Sequence, residues 1–351
     1  MDGLPIKLGV LADFPGRDGG QAFEWAVRLG LQEVGGRLPG PVELVREVAD
    51  GLPLPGGSET SVRDAFARLD HAGVLAVLGP AISDNAIVVR PMADAAGIAT
   101  LNYTGGEQTR SHAGFHYQIG SLEDEPAFLT AHLLERGLHK VALVHDTTFV
   151  GRRMAEFFDD AAAAAGLQLV MRSTLPPTGD GADRALATAR AAQPDVVVSL
   201  GLWDLPRALS QQMAAMGWEV PACANSALIY GHQSPDWARG WEGWTYCDTV
   251  SEANGRYATL SAAAAAAGQS AGPGAAGAFD MGRLIGESLA LAHPLTREGV
   301  LQALERVKSL PAASGHEGTL MGFGHLDRGA LKGRFIVVRQ WRNAESVAWA
   351  R

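Results

Sequence analysis

Short apolar segments alternate with amphipathic segments along most of this chain, and no other feature restricts its fold as strongly. A first series of predicted strands covers residues 6–13, 42–50, 74–80 and 98–104. After Gly120, a second series covers residues 140–146, 167–175, 195–201, 220–226 and 243–250, with helices between the strands. Short, near-continuously apolar strands joined by helices are typical of parallel sheets covered on both faces. The pattern therefore predicts two α/β domains of similar plan.

The C-terminal part of the chain departs from this alternation. Two or three helices are predicted between about residues 254 and 307, followed by two strand candidates around an Asp327-Arg328-Gly329 turn. A length of 351 residues suits two domains. If this tail returned to the first domain and then crossed again, the chain would pass between the domains three times.

Charge and hydropathy restrict the possible partners. The net charge is −9 and the basic residues are scattered, so a nucleic-acid-binding face is not expected. No apolar run approaches the roughly 18 residues that a membrane-spanning helix needs. The N-terminus lacks the basic and apolar regions of a secretory signal, which leaves a cytosolic protein or a signal removed upstream as alternatives.

The two cysteines, Cys223 and Cys247, are too few for a disulfide framework, and their separation fits no zinc motif. Two buried thiols are the first alternative. A single disulfide is the second, and it would indicate an oxidising compartment.

Motifs for catalysis or cofactor binding are not found. Residues 272–277, "GPGAAG", match a dinucleotide-binding string but follow an alanine-rich helix instead of a strand, so we interpret them as a loop between helices. His112 and His116 have the spacing of a helical metal pair, yet the residues around them are typical of a loop, which predicts surface histidines. We therefore expect no cofactor, no metal, no catalytic residues and no enzymatic activity.

The carboxyl ends of the predicted strands carry polar and aromatic residues. Ligands of open α/β sheets bind just beyond those ends. Aromatic walls with a few orienting hydroxyl, amide and carboxylate groups are typical of small-molecule pockets, although polar strand ends are also ordinary turn chemistry. The candidate ligand-binding residues are Phe14, Ser83, Asp84, Tyr103, Thr104, Phe149, Trp203, Asp204, Ser226 and Tyr230.

Nearly the whole chain resembles a known family. The similar segments are "IKLGVLADFPG", "GVLAVLGPAISDNAIVVRPMADAAGIATLNYTGG", "HKVALVHDTTFVGRRMAEFFDDAAAAAG", "PDVVVSLGLWDLPRALSQQMAAMGW", "GAAGAFDMGRLIGESLALA" and "GHLDRGALKGRFIVV". In order and spacing they resemble the type I periplasmic substrate-binding proteins of ABC transporters, in the leucine/isoleucine/valine-binding branch.

This resemblance implies an α/β fold of two Rossmann-like lobes with three hinge crossings. The lobes would comprise residues 1–121 plus 251–325 and residues 122–250 plus 326–351. A small ligand would be trapped between them by hinge closure and delivered to the membrane permease of an ABC importer. The location would be periplasmic or at the cell surface. If the chain starts at its native start, a cytosolic ligand-sensing regulator of the same fold, acting on a protein partner, is the alternative.

The resemblance also assigns roles to some of the candidate residues. Ser83 would offer its hydroxyl and nearby backbone amides to a ligand carboxylate, or else would only cap the helix over residues 84–96. The segment "NYTGG" at residues 102–106 would add hydroxyl and amide contacts. Phe149 and Trp203 would close over the ligand from the second lobe, although the aromatic at Phe149 lies one place earlier than the family's usual tyrosine.

One position departs from the amino-acid binders of the family. Where they carry an acidic residue that pairs with the ligand's ammonium group, this chain has Ser226. Asp204, Asp84 or Asp13 could replace that acid, because an unpaired buried ammonium is costly. We favour the other alternative, a ligand without an α-amino group, since a hydroxyl suits an uncharged or carboxylate-only ligand. The candidate ligands are amino acids, amides, and aromatic or aliphatic acids.

Overall fold

The computed structural model describes residues 5–13, 20–53, 56–117, 121–202 and 204–350. The chain divides into two compact units, each assembled from two segments. Unit 1 comprises Met1–Ile119 and Thr249–Phe335, and unit 2 comprises Gly120–Asp248 and Ile336–Arg351. Residues 326–335, which the sequence assigns to the second lobe, lie in unit 1. Backbone hydrogen bonds hold them there, from His116 N to Arg328 O (2.9 Å) and from Ala330 N to His116 O (2.9 Å).

Unit 1 is built on a parallel sheet with the strand order β2-β1-β3-β4-β5. Its strands are β1 (Ile6–Ala12), β2 (Val42–Val48), β3 (Ala76–Leu78), β4 (Ala99–Asn102) and β5 (Gly114–His116). Its helices, numbered in chain order, are α1 (Gln21–Val34), α2 (Glu59–His71), α3 (Ser83–Ala96), α9 (Gly255–Ala266), α10 (Pro273–Leu291) and α11 (Arg297–Leu304). A small antiparallel sheet joins β11 (Leu310–Pro311), β12 (Leu320–Met321) and β13 (Leu331–Lys332).

Unit 2 has a sheet with the strand order β15-β14-β10-β9-β8-β6-β7. The strands are β6 (Lys140–Asp146), β7 (Gln168–Leu175), β8 (Val196–Leu200), β9 (Ala222–Ala224), β10 (Thr245–Asp248), β14 (Val337–Arg342) and β15 (Glu345–Ala348). The helices are α4 (Asp124–Glu135), α5 (Phe149–Ala165), α6 (Ala182–Ala191), α7 (Leu205–Ala215) and α8 (Pro235–Gly240). Strands β6 to β10 pair in parallel, whereas β14 and β15 are antiparallel additions.

The two units share one plan. In each, the first strand of the series lies between the second and the third, as β2-β1-β3 and as β7-β6-β8. Val141 to Val144 of β6 and Val196 to Val198 of β8 are fully buried, as expected for strands covered on both faces. This agreement confirms the predicted α/β fold class.

Two glycines allow α1 and α10 of unit 1 to pack closely. A Cβ at Gly30 would lie 2.2 Å from Phe279 O, and a Cβ at Gly282 would lie 2.3 Å from Val27 O. Any larger side chain at either position would therefore push the two helices apart. The tail helix α10 is thus fixed against the first helix of the chain, within unit 1.

Three local predictions are wrong. Residues around His116 form β5 instead of a loop, and His116 is fully buried instead of exposed. The "GPGAAG" string is not a loop, because Gly272 caps α10 and Pro273 begins it. A proline at the first helical position is compatible with a helix start, since it has no N–H to satisfy. Cys223 and Cys247 are buried free thiols, which excludes the disulfide alternative.

Candidate functional site

At the carboxyl end of β1 in unit 1, Asp13 holds the turn that leads into α3. Its Oδ1 accepts a hydrogen bond from Ala81 N (2.7 Å), and its Oδ2 accepts from Ile82 N (3.0 Å) and Asn85 Nδ2 (2.8 Å). Burial raises the pKa of Asp13, and these hydrogen bonds act in the opposite direction. All three donors belong to the unit itself, so Asp13 has a structural role in holding this turn.

Ser83, the first residue of α3, is buried with only 4% of its surface exposed. Ile82 occupies the N-cap position, so Ser83 does not cap the helix. The Ser83 hydroxyl makes no hydrogen bond to the part of the chain that the structure describes. An unpartnered hydroxyl at a helix N-terminus, where backbone N–H groups and the helix dipole favour negative charge, is suited to an anion.

The end of β4 lies beside this turn, since Tyr103 N donates to Pro80 O (2.8 Å). The phenol of Tyr103 donates to Pro273 O (2.9 Å), and the hydroxyl of Thr104 donates to Asn102 Oδ1 (2.7 Å). The polar atoms of these two side chains are therefore engaged within unit 1. Asp84, half-buried, follows Ser83 in the first turn of α3.

In unit 2, Asp146 holds a matching turn at the carboxyl end of β6. It accepts hydrogen bonds from Thr148 N (2.9 Å), from the Thr148 hydroxyl and from Leu202 N (2.6 Å), which follows β8. Thr148 is the N-cap of α5 and accepts from Gly151 N (3.1 Å). This network fixes Phe149, a half-buried residue, as the first residue of α5.

The remaining candidate residues of unit 2 differ in their partners and in their burial. Asp204 accepts a hydrogen bond from Arg207 Nε (2.8 Å), so its charge is already paired. Tyr230 is half-buried in a short 3-10 segment, Ser226–Gln233, that follows β9. Phe14 and Trp203 lie outside the described residues.

Ser226 is hydrogen-bonded to Glu125, a carboxylate that is not among the residues predicted from the sequence. The Ser226 hydroxyl donates to Glu125 Oε1 (3.0 Å), and Ser226 N donates to Glu125 Oε2 (2.7 Å). Ser121 N also donates to Glu125 Oε1 (2.9 Å). Glu125 is fully buried, whereas Ser226 is only partly covered. A signal for Glu125 exists in the sequence, because it precedes Leu129 and Leu133 at helical spacing on the apolar face of α4.

Burial raises the pKa of Glu125 from 4.5 to about 7, against the lowering effect of the hydrogen bonds from Ser226 and Ser121. No ion pair joins Glu125 to a cationic side chain among the described residues. Unit 2 therefore holds a buried carboxyl with a raised pKa that is hydrogen-bonded to the half-buried Ser226.

Each unit thus has its candidate residues at the carboxyl ends of neighbouring parallel strands. The sequence model of the periplasmic binding protein family matches residues 5–334 of the chain. The chain belongs to this family. Its resemblance to periplasmic binding proteins, seen in the quoted sequence segments, is confirmed.

Solved structures from the branched-chain amino acid branch have the same fold as this periplasmic binding protein. LivJ from Streptococcus pneumoniae, in complex with isoleucine, superposes with a TM-score of 0.82 at 17% identity, covering 98% of each chain. An ABC transporter substrate-binding protein from Desulfitobacterium hafniense, in complex with Leu, gives 0.82 at 19% identity, covering 99% of this chain and 100% of that one. The leucine-binding protein LivK from Thermotoga maritima gives 0.81 at 17% identity, covering 98% of both chains.

No curated protein sequence is significantly similar to this periplasmic binding protein. The structural matches confirm the type I periplasmic-binding-protein fold. Within the described residues, the helices are too short or too polar to cross a membrane. In the same part of the chain, His, Cys, Asp and Glu side chains form no group of three suited to a metal ion.

Proposed function

We propose that this protein is the solute-binding component of an ABC importer. It traps one small organic ligand between its two lobes by hinge closure and presents it to a membrane permease. It works in the periplasm or at the cell surface, binds no nucleic acid, is not inserted in the membrane and carries out no catalysis.

One observation carries this proposal: Ser83 is a buried residue at the start of α3, and its hydroxyl has no hydrogen-bond partner in the described structure. A ligand carboxylate would supply the acceptor that this hydroxyl lacks, and a hydrogen bond to a charged group contributes about 1.5–3 kcal/mol. The Ser83 side chain, the N-terminus of α3 and the turn held by Asp13 together form an anion-binding site on unit 1.

The ligand class that we propose is a small carboxylate or amide: an amino acid, an amide, or an aromatic or aliphatic acid. Isoleucine and Leu occupy two of the structurally similar binding proteins. The ends of β6, β8 and β9 on unit 2 supply the rest of the site, with Phe149 and Trp203 as apolar contacts and with Ser226 and Tyr230 as polar ones. Asp204 plays a smaller part because Arg207 pairs with it.

A thermal-shift screen against amino acids, amides and carboxylic acids tests this proposal. A ligand at about 100 times its dissociation constant adds roughly 2.7 kcal/mol to the free energy of unfolding, a shift that such a screen resolves. Trp203→Ala should weaken binding of the best ligand at least tenfold, because it removes a large apolar contact. A screen without stabilising ligands, or a Trp203→Ala protein that binds like wild type, argues against the proposed site.

A further inference from the structure

Glu125 and Ser226 of unit 2 are arranged so that a single proton changes what Ser226 presents to a ligand. When Glu125 is ionised, its two oxygens accept all three hydrogen bonds, from Ser121 N (2.9 Å), Ser226 N (2.7 Å) and the Ser226 hydroxyl (3.0 Å). The hydroxyl proton then points at Glu125. The remaining lone pairs of the half-buried Ser226 Oγ can then only accept a hydrogen bond.

Protonation of Glu125 reverses this arrangement. A carboxylic acid must donate its proton, and backbone N–H groups cannot accept one. Of the three partners, only the Ser226 hydroxyl can change from donor to acceptor. Once it accepts from Glu125, its own proton is released toward the ligand side, and Ser226 becomes a hydrogen-bond donor.

We propose that Glu125 is a proton-operated positioning residue, which sets whether the Ser226 hydroxyl accepts a hydrogen bond from the ligand or donates one to it. The inference rests on the proposed ligand site at the strand ends of unit 2. With Glu125 ionised, the site favours ligands with N–H donors, such as an amino acid or an amide. With Glu125 protonated, it favours ligands that offer only acceptors at this position.

The surroundings of Glu125 leave its protonation open to change near neutral pH. Burial raises its pKa to about 7, and the neighbouring Asp124 adds to that rise. From β10, Cys247 faces Glu125, and its thiol pKa lies well above the ordinary value. From α5, which packs on α4, the buried residues Val150, Gly151, Met154, Ala155, Phe158 and Ala162 are uncharged.

A ligand ammonium at Ser226 would be the missing positive partner of this buried carboxylate. It would favour the ionised form of Glu125, so that binding at neutral pH releases a proton. Related amino-acid binders are expected to carry this negative charge on the residue at position 226 itself. Here Glu125 would carry it, and the Ser226 hydroxyl would lie between Glu125 and the ligand. This removes the main reason to prefer a ligand without an α-amino group.

The test compares wild type with Glu125→Gln, Ser226→Ala and the control Asp124→Asn, which removes an exposed charge from the same helix turn. Isothermal titration calorimetry from pH 6 to pH 8 measures the affinity of each protein for L-leucine and for 4-methylpentanoate. The second ligand has the carbon skeleton of leucine but no amino group. The affinity of wild type for L-leucine should rise about tenfold over this range, in step with the ionised fraction of Glu125. Asp124→Asn should also show a rise, beginning at lower pH because it removes a charge that raises the Glu125 pKa. That rise should be absent for 4-methylpentanoate and in both Glu125→Gln and Ser226→Ala. An equal rise in Glu125→Gln or Ser226→Ala overturns the inference.

A second measurement needs no ligand and remains informative if a variant folds poorly. In wild-type protein, the amide nitrogen resonance of Ser226 should titrate between pH 6 and pH 8, following Glu125. If it does not, the inference is wrong. If it titrates while neither probe binds at any pH, the proton switch is supported and the proposed ligand class is rejected.

Discussion

Asp13 and Asp146 occupy equivalent positions in the two units. Asp13 directly follows the first strand of its unit and Asp146 is the last residue of the first strand of the other. Each accepts a backbone hydrogen bond from the loop after the third strand: Ala81 N at 2.7 Å for Asp13, and Leu202 N at 2.6 Å for Asp146. Both side chains are buried. Both units thus contain a buried carboxylate that holds the turn after the first strand. The proposed ligand-binding residues lie beside these turns.

Asp13→Asn and Asp146→Asn should each destabilise the protein by about 2–3 kcal/mol. The substitution replaces one carboxylate oxygen, an acceptor, by an NH2 group, a donor, so that a hydrogen-bond donor facing that oxygen loses its acceptor. Urea unfolding of each variant measures this cost. Asp195→Asn is the control, because Asp195 accepts from His139 N and Lys140 N (both 2.8 Å) at an exposed site and should cost no more than about 1 kcal/mol. Equal losses in all three variants would contradict the structural role of the buried pair.

The pH dependence of stability should reveal Glu125. Its pKa is about 7 in the folded protein and 4.5 in the unfolded chain. Between these values the folded state binds more protons, so the stability due to Glu125 is fully present below pH 4.5 and is lost as pH rises through about 7. Relative to Glu125→Gln, wild type should lose about 3 kcal/mol between pH 4.5 and 7.5, measured by urea unfolding at each pH. A constant difference between the two proteins would show that Glu125 titrates normally.

Ser83→Ala should leave stability within about 0.5 kcal/mol of wild type, because its hydroxyl bonds to none of the described residues. Ser58 provides the comparison. It is the N-cap of α2 and accepts from Ser61 N (3.2 Å), so Ser58→Ala should cost about 1 kcal/mol. Thermal unfolding of the two variants separates a ligand-binding serine from a helix-capping one. A loss in Ser83→Ala as large as that in Ser58→Ala would indicate a capping role.

Gly282→Ala should destabilise unit 1 by more than 2 kcal/mol, because the new methyl group would lie 2.3 Å from Val27 O. Gly274, in the same helix α10, has no neighbouring atom within 4 Å of a Cβ. Gly274→Ala should therefore be neutral or stabilising by up to about 1 kcal/mol, through helix propensity. Unfolding midpoints in urea compare the two variants. If Gly282→Ala is as stable as Gly274→Ala, α1 and α10 are not closely packed.

Much of the fold follows from local sequence signals. The helix predicted over residues 84–96 begins one residue earlier, at Ser83, and β6 begins and ends at the predicted residues, because apolar periodicity and turn residues act locally. β5 was missed because its three residues are too short for a periodic pattern. The start of α10 was missed because its glycines, of which Gly277 contacts the Tyr103 ring, are typical of loops.

The candidate site was less predictable than the fold. The polar residues at the strand ends could be named, yet whether a hydroxyl is free or bonded depends on residues far along the chain. Tyr103 bonds to Pro273, and Ser226 bonds to Glu125, across 170 and 101 positions respectively. Single-sequence patterns carry no information on such pairings, nor on the hydrogen bonds by which Asp13 holds the turn into α3.

Calorimetric titration of wild type and Ser83→Ala with the best ligand of the screen tests the central claim most directly. We expect one ligand per chain in wild type and an affinity at least tenfold weaker in Ser83→Ala, while Ser58→Ala binds like wild type. Unchanged affinity in Ser83→Ala would contradict the proposed anion site at the start of α3.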